Sequence, residues 1–176
     1  MDASVFRLLS YGMYVVASFS PSTSLGGNRK LNGQIANTVF QVTSDPPQLA
    51  VCLNCQNLTH ELVAESKRFS VSILSQEAPL KFIGLFGFKC GRSVDKYSGV
   101  NHQVLKSGTP VILDYSLGWL DLEVTQAIPL GTHTLFIGRI TDSAVGAEGT
   151  PMTYDYYHQV KGGKTQANAP TYIVRT

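Results

Sequence analysis

The chain has 176 residues, of which 43% are hydrophobic and 15% charged, and a formal net charge of +2. That length suits one domain with a core of its own, and so small a charge, with no run of five or more Lys or Arg, excludes a generic polyanion partner such as nucleic acid. Three cysteines, Cys52, Cys55 and Cys90, make an odd count that suits a reducing compartment better than a disulfide framework.

Asp2 to Leu9 reads as a short helix with Phe6 and Leu9 on one face. The start of the chain, MDASVFRLLSYGMYVVASF, carries an acid, no basic leader, and an apolar stretch broken by Ser10, Tyr11 and Gly12. It reads as neither a signal peptide nor a membrane span, and the expectation is a cytoplasmic protein without a membrane segment. Tyr11 to Ser18 is rich in aromatic and β-branched residues and predicts a strand, and Phe19 to Arg29 predicts a loop with a turn at Gly26-Gly27-Asn28.

Leu31 to Cys55 is the unusual stretch. Two predicted strands, Gly33 to Gln41 and Gln48 to Leu53, flank a stiff Asp45-Pro46-Pro47 turn. The stretch is studded with Asn32, Gln34, Asn37, Thr38, Thr43 and Ser44. Polar side chains on strands cost free energy unless they find partners, so this pattern suggests a ligand that supplies them. The C-x-x-C at Cys52 and Cys55 reads as a strand residue and an incidental thiol, since zinc would need a second ligand pair that the chain does not offer as another C-x-x-C.

A helix is predicted from Asn57 through Ser66, with Thr59 as N-cap and Leu62 and Val63 facing inward. Phe69 to Leu74 alternates apolar and small polar residues and predicts a strand. A second helix over Ala78 to Phe86 is expected to break into the basic, glycine-punctuated loop Gly87 to Arg92. After a loop around Gly99 to Gly108, strands are predicted at Val111 to Leu113, Leu117 to Ala127 and Thr132 to Ser143. Strands broken by two helices, with few late crossovers, predict a mainly β protein with attached helices, an antiparallel barrel. One domain is expected over residues 1–160, with Tyr154, Tyr156, Tyr157 and His158 packed on a neighbour, followed by a flexible tail over 161–176.

The chain lacks G-x-S-x-G, H-E-x-x-H, a P-loop and G-x-G-x-x-G. Its four histidines lie far apart, and no metal site is expected. A cofactor that carries the difficult chemistry explains these absences. The segments NGQIANTVFQVTSDPPQLAVCLN, NLTHELV, FSVSILSQEAPL, FIGLFGF and LGTHTLFIG, followed by YYHQVKGGKT and PTY, closely resemble the flavin reductase-like family of FMN-binding split β-barrels, with its ferric reductase, flavoredoxin and high-molecular-weight rubredoxin branches. The match covers nearly the whole chain, with several separate motifs in the family's order.

The resemblance implies a homodimeric Greek-key split barrel holding FMN, with NADH or NADPH as donor and free flavin, a ferric chelate or a redox protein as acceptor. The other implied role is a flavoredoxin-like FMN electron carrier reduced by a protein partner. An isoalloxazine needs an apolar slab and polar groups along its pyrimidine edge, for which Asn37 and Thr38 are candidates, with Gln34 on the ribityl chain or phosphate. A phosphate needs hydroxyls, amides at a helix start and a cation. Asn54, Asn57 and Thr59 sit at the helix start, and Gly87, Lys89 and Arg92 in the basic loop. Cys52 and Leu53 fall beside the flavin in the resembling family, as contacts and not as thiol chemistry. His133, in the Gly-Thr-His-Thr segment, is carried over as the group that positions the hydride donor.

Each assignment has a structural alternative. Asn37 and Thr38 would serve equally as strand-end hydrogen-bonding groups. Thr59 would serve as a plain N-cap. Lys89 and Arg92 would serve as solvated charges, and His133 as a barrel-rim histidine. The tyrosines would either cover the other subunit's flavin or seal the dimer.

Overall fold

Leu49, Val51 and Leu53 are buried at two-residue spacing, while Cys52 and Asn54 keep partial exposure, the pattern of a strand with one face on a core. In the computed structural model, which describes residues 3–21 and 29–172, this strand is one of nine among the described residues. In chain order they are β1 (Tyr14–Phe19), β2 (Leu31–Ala36), β3 (Val39–Ser44), β4 (Pro47–Asn54), β5 (Arg68–Leu74), β6 (His102–Val104), β7 (Pro110–Ile112), β8 (Ser116–Leu130) and β9 (His133–Val145). A 3-10 turn covers Ala3–Leu8, and helices α1 (Leu58–Ser66), α2 (Leu80–Phe88) and α3 (Tyr154–Gln159) complete the set.

Seven strands form one sheet in the order β2-β1-β5-β8-β9-β4-β3, and every pairing in it is antiparallel. A single apolar cluster collects Val16, Ala36, Val39, Val51, Phe69, Leu122 and Phe136, one or more residues from each of the seven strands. A sheet that points all its strands at one core is curled. Its two end strands, β2 and β3, share no ladder, so the barrel is split along that seam. The fold is the mainly β, antiparallel split barrel with attached helices that the sequence led us to expect.

A second cluster on the outside joins Val15 of β1 and Leu74 of β5 to Phe82, Ile83 and Phe86 of α2 and to Tyr157 of α3. Val15 and Val16 point into different clusters, so β1 is buried on both faces. On the core face of β9 the packing is tight enough to demand glycine: a Cβ on Gly138 would lie 2.7 Å from the ring of Phe69 on β5.

Several boundaries differ from the sequence reading. The strand expected over Gly33 to Gln41 is two strands, β2 and β3, at opposite ends of the sheet, with Asn37 and Thr38 between them. Apolar residues lie on both sides of the switch, Ile35 and Ala36 before it and Val39 and Phe40 after it, so the residue pattern alone could not show it. The first helix is a 3-10 turn, and Asp2 lies outside the described residues, as does the Gly26-Gly27-Asn28 turn. The strand expected from Tyr11 begins at Tyr14 and takes in Phe19. The N-cap of α1 is Asn57, not Thr59, and its side chain makes no capping bond to the helix. The second helix starts at Leu80, after Pro79, and runs through Gly87 to Phe88. The loop expected around Gly99 to Gly108 contains β6, paired with β7, and α3 had no counterpart in the sequence reading.

Phe69 is completely buried at the centre of the seven-strand cluster. Phe69→Ala is expected to lower the unfolding free energy by about 3–5 kcal/mol, read as a lower urea midpoint at unchanged slope.

Candidate functional site

The seam between β2 and β3 opens into a cleft. Its walls come from the end of β2 (Gln34 to Ala36), from Asn37 and Thr38, from Cys52 and Asn54 on β4, and from Asn57 at the start of α1. Ile83 and Gly87, four residues apart on one face of α2, supply the facing wall with Phe88, and Met13 and Tyr157 add apolar surface. Residues 164–170 lie across the opening and leave a cavity of about 60 Å³.

Local hydrogen bonds set this geometry. The Thr38 hydroxyl donates to the Cys52 carbonyl at 3.1 Å, and the Cys52 N–H donates to the Thr38 carbonyl at 3.2 Å, so Thr38 carries the β3–β4 pairing to the rim of the cleft. Asn54 Oδ1 accepts from the Gln56 N–H at 2.9 Å and shapes the turn into α1. Gln34 differs from both, because its Oε1 is buried without a hydrogen-bond partner. Such an acceptor carries a desolvation cost until a donor reaches it.

The tail meets the cleft through its polar side chains. Asn37 Nδ2 donates to Thr171 Oγ1 at 2.8 Å, and Asn168 Nδ2 donates to Asn57 Oδ1 at 3.4 Å. His133 Nε2 lies 3.3 Å from the Asn168 carbonyl and its Nδ1 lies 2.8 Å from Thr132 Oγ1. A carbonyl only accepts, so Nε2 carries the proton in that contact, and the Thr132 hydroxyl can donate to Nδ1 of a neutral ring. Tyr154 and Tyr157 hold the same segment from α3, Tyr154 through Thr165 and Thr171 and Tyr157 through the backbone of Lys164. Residues 161–172, expected as a flexible tail, are thus tied to the domain in this structure.

The structure gathers Gln34, Asn37, Thr38, Cys52, Asn54, Asn57 and Gly87 in the cleft, and brings His133 to its covering segment. It does not bring Leu53, Thr59 or Lys89 into the lining. Leu53 points into the barrel core. Thr59 is fully buried and accepts from Asn32 Nδ2 at 2.8 Å. Lys89 is exposed, and Arg92 forms a two-point ion pair with Glu61 on α1. The cation that does line the cleft is Lys164, which sequence reasoning missed because nothing local ties residue 164 to a seam more than a hundred residues earlier.

Burial pushes the Cys52 thiol above its ordinary value, with Cys55 adding to the shift, so Cys52 is a protonated thiol at neutral pH. All three cysteines are free, and the described residues hold no group of three or more His, Cys, Asp or Glu fit for a metal ion. His60 stands behind this region, its Nε2 2.8 Å from Thr134 Oγ1 and its ring against Phe136. Burial lowers its pKa, and neighbouring Glu61 opposes the shift. No helix of the described residues is long and apolar enough to cross a membrane.

Comparison with known proteins bears on this cleft. Residues 6–163 match the family described as "Flavin reductase like domain". The chain is 48% identical over 174 residues to the "High molecular weight rubredoxin" of Moorella thermoacetica, spanning 99% of this chain and 73% of that protein. It is 42% identical over 173 residues to the "Ferric-chelate reductase (NAD(P)H)" of Archaeoglobus fulgidus, spanning 98% of each. Among solved structures, an FMN-binding protein from Thermus thermophilus shares the fold with a TM-score of 0.69 at 24% identity, over 80% of this chain and 74% of that one.

The Asn32–Thr59 pair joins β2 to α1 beneath the cleft. Thr59→Val would leave both polar atoms of the Asn32 amide unpartnered, since Oδ1 already has none. The expected loss is about 1–3 kcal/mol of stability in chemical denaturation; an unchanged midpoint would show the pair to be dispensable.

Proposed function

The chain belongs to the flavin reductase like domain family, and on that premise we propose that it takes hydride from NADH or NADPH onto bound FMN in the β2–β3 cleft and passes the electrons to an acceptor. The observation that carries this reading is Gln34 Oε1, buried in the cleft wall without a donor. Ribityl hydroxyls and a ring imide N–H are donors of the kind it needs. Around it, the Asn37 amide and the neutral Cys52 thiol alternate with apolar Met13, Ile83 and Tyr157, a lining that suits a flat ring with one polar edge. The residues present therefore fit the group. FMN, when bound, supplies two-electron acceptance and release, which asks for no protein nucleophile.

The protein's own part is to bind and orient. Gln34, Asn37 and Thr38 would hold the polar edge, and the α2 wall at Gly87 and Phe88 would pack on the ring. Asn57, with Lys164 as the cation lining the cleft, would take the phosphate end. His133 would set the nicotinamide donor by hydrogen bonding through Nε2, the atom now given to the Asn168 carbonyl. Because residues 168–171 engage Asn37, Asn57 and His133 together, loading of flavin and donor requires that segment to move aside while Lys164 stays at the cleft.

The acceptor is a free flavin, a ferric chelate or a separate redox protein, a range supported by relatives named a flavin reductase, a ferric-chelate reductase and a rubredoxin. FMN as the flavin is supported by the family resemblance and by a relative named as an FMN reductase (NADH). A homodimer is part of the reading, supported by exposed Phe40 and Val42 on edge strand β3. A cytoplasmic setting accords with three free thiols.

Titration of the purified protein with FMN, followed by anaerobic mixing with NADH and with NADPH, tests the proposal. Saturable binding and bleaching by at least one donor are expected, and absence of binding would sink the reading. Gln34→Leu is expected to weaken FMN binding by about tenfold, the cost of one buried hydrogen bond. His133→Ala should raise KM for the donor by about tenfold while leaving FMN affinity in place.

A further inference from the structure

Lys96 is the one lysine buried among the described residues, with 4% of its surface exposed, and no carboxylate forms an ion pair with it there. Its Nζ donates instead to two backbone carbonyls, Gly33 at 2.9 Å and Phe86 at 3.2 Å. Both carbonyls belong to places where the backbone lacks partners. Gly33 lies on β2, an edge strand that pairs only with β1 and leaves its outer groups without a ladder. Phe86 stands two residues from the end of α2, among the last four carbonyls, which have no partner within the helix. The chain leaves α2 at Lys89 in an extended conformation, without a left-handed glycine cap. One ammonium satisfies both ends, and the negative pole of the helix favours a cation there.

The next residue after each clamped carbonyl lines the cleft: Gln34 after Gly33, and Gly87 after Phe86. We propose that Lys96 is a positioning residue for the flavin site, fastening edge strand β2 to the end of α2 so that the Gln34 wall and the Gly87–Phe88 wall stand at the separation the ring requires. Close approach at the clamp is visible in Gly33 itself. A Cβ there would lie 3.1 Å from the Tyr97 hydroxyl, 3.2 Å from Val15 and 3.3 Å from the Phe86 ring. Burial pushes the Lys96 ammonium down to about 8. The charge is thus kept at neutral pH against a desolvation cost, and an apolar side chain of similar length would remove that cost together with the two bonds.

The inference rests on the proposed flavin site, and the test separates the two. Wild type, Lys96→Met and Lys96→Arg are compared as full-length proteins. Lys96→Met is expected to melt within about 5 °C of wild type, while amide exchange of residues 33–35 and 87–88 accelerates about tenfold in the flavin-free protein. Its FMN affinity falls about tenfold, and the visible circular dichroism of saturating FMN changes. Lys96→Arg, which keeps the charge and the donors, recovers most of both. If Lys96→Met fails to fold, Lys96→Gln, with two N–H donors and no charge, takes the same measurements. FMN affinity and visible dichroism equal to wild type in the folded variant overturn the inference and leave the flavin reading intact. Wild-type protein that binds no FMN overturns both.

Discussion

The structure depends on one constraint: seven antiparallel strands wrap a single apolar core without closing. Phe69, Phe136 and Leu122 need strands on all sides to be dry, yet the chain passes from one end strand to the other through only two residues, Asn37 and Thr38. Unpaired edges β2 and β3 result, and unpaired edges carry backbone groups that must be met by something else. Thr38 extends the β3–β4 pairing to the seam with both its hydroxyl and its carbonyl. Lys96 meets part of the need at the β2 edge. What remains is a cleft whose walls are polar because they are strand edges, and apolar where α2 and α3 pack against them.

This origin accounts for the site's chemistry. A seam between strand ends offers amides and hydroxyls already held by the sheet, the kind of preorganised surface a flat polar-edged ring can use without reordering the protein. The tail completes the arrangement. By giving Thr171 to Asn37 and Asn168 to Asn57 and His133, it keeps those groups hydrogen-bonded while the cleft is narrow. Gln34 Oε1 is the exception, and it is the exception that points to a ligand.

Much of the fold was legible because it is written in local patterns. Alternation in Phe69 to Leu74, the apolar run of β4, and the turn at Asp45-Pro46-Pro47 each identify an element within a few residues of its place. The candidate site was legible in part, since Gln34, Asn37, Thr38, Cys52, Asn54 and Asn57 cluster within one stretch of chain that changes edges at the seam. Thr59 and Leu53 show the limit. Both neighbour cleft residues in sequence, but a strand and a helix each have two sides, and their side chains face the interior. Residues 164–171 show the opposite case, a segment of small and polar residues that looks like a tail until its long-range hydrogen bonds are known.

The amino-acid sequence by itself determined the class of fold, most of the strands and the first two long helices to within a few residues, the stretch that builds the cleft and, through its resemblance, the family. These follow from periodicity, turn chemistry and motif order, all of which are local. Tertiary structure alone decided that Gly33 to Gln41 divides between two sheet edges, that Thr59 pairs with Asn32, that the tail covers the cleft, and that Lys96 is buried between two carbonyls. Those facts depend on contacts between residues far apart in the chain, whose partners are chosen by how the sheet curls, and no window of sequence contains both halves of such a contact.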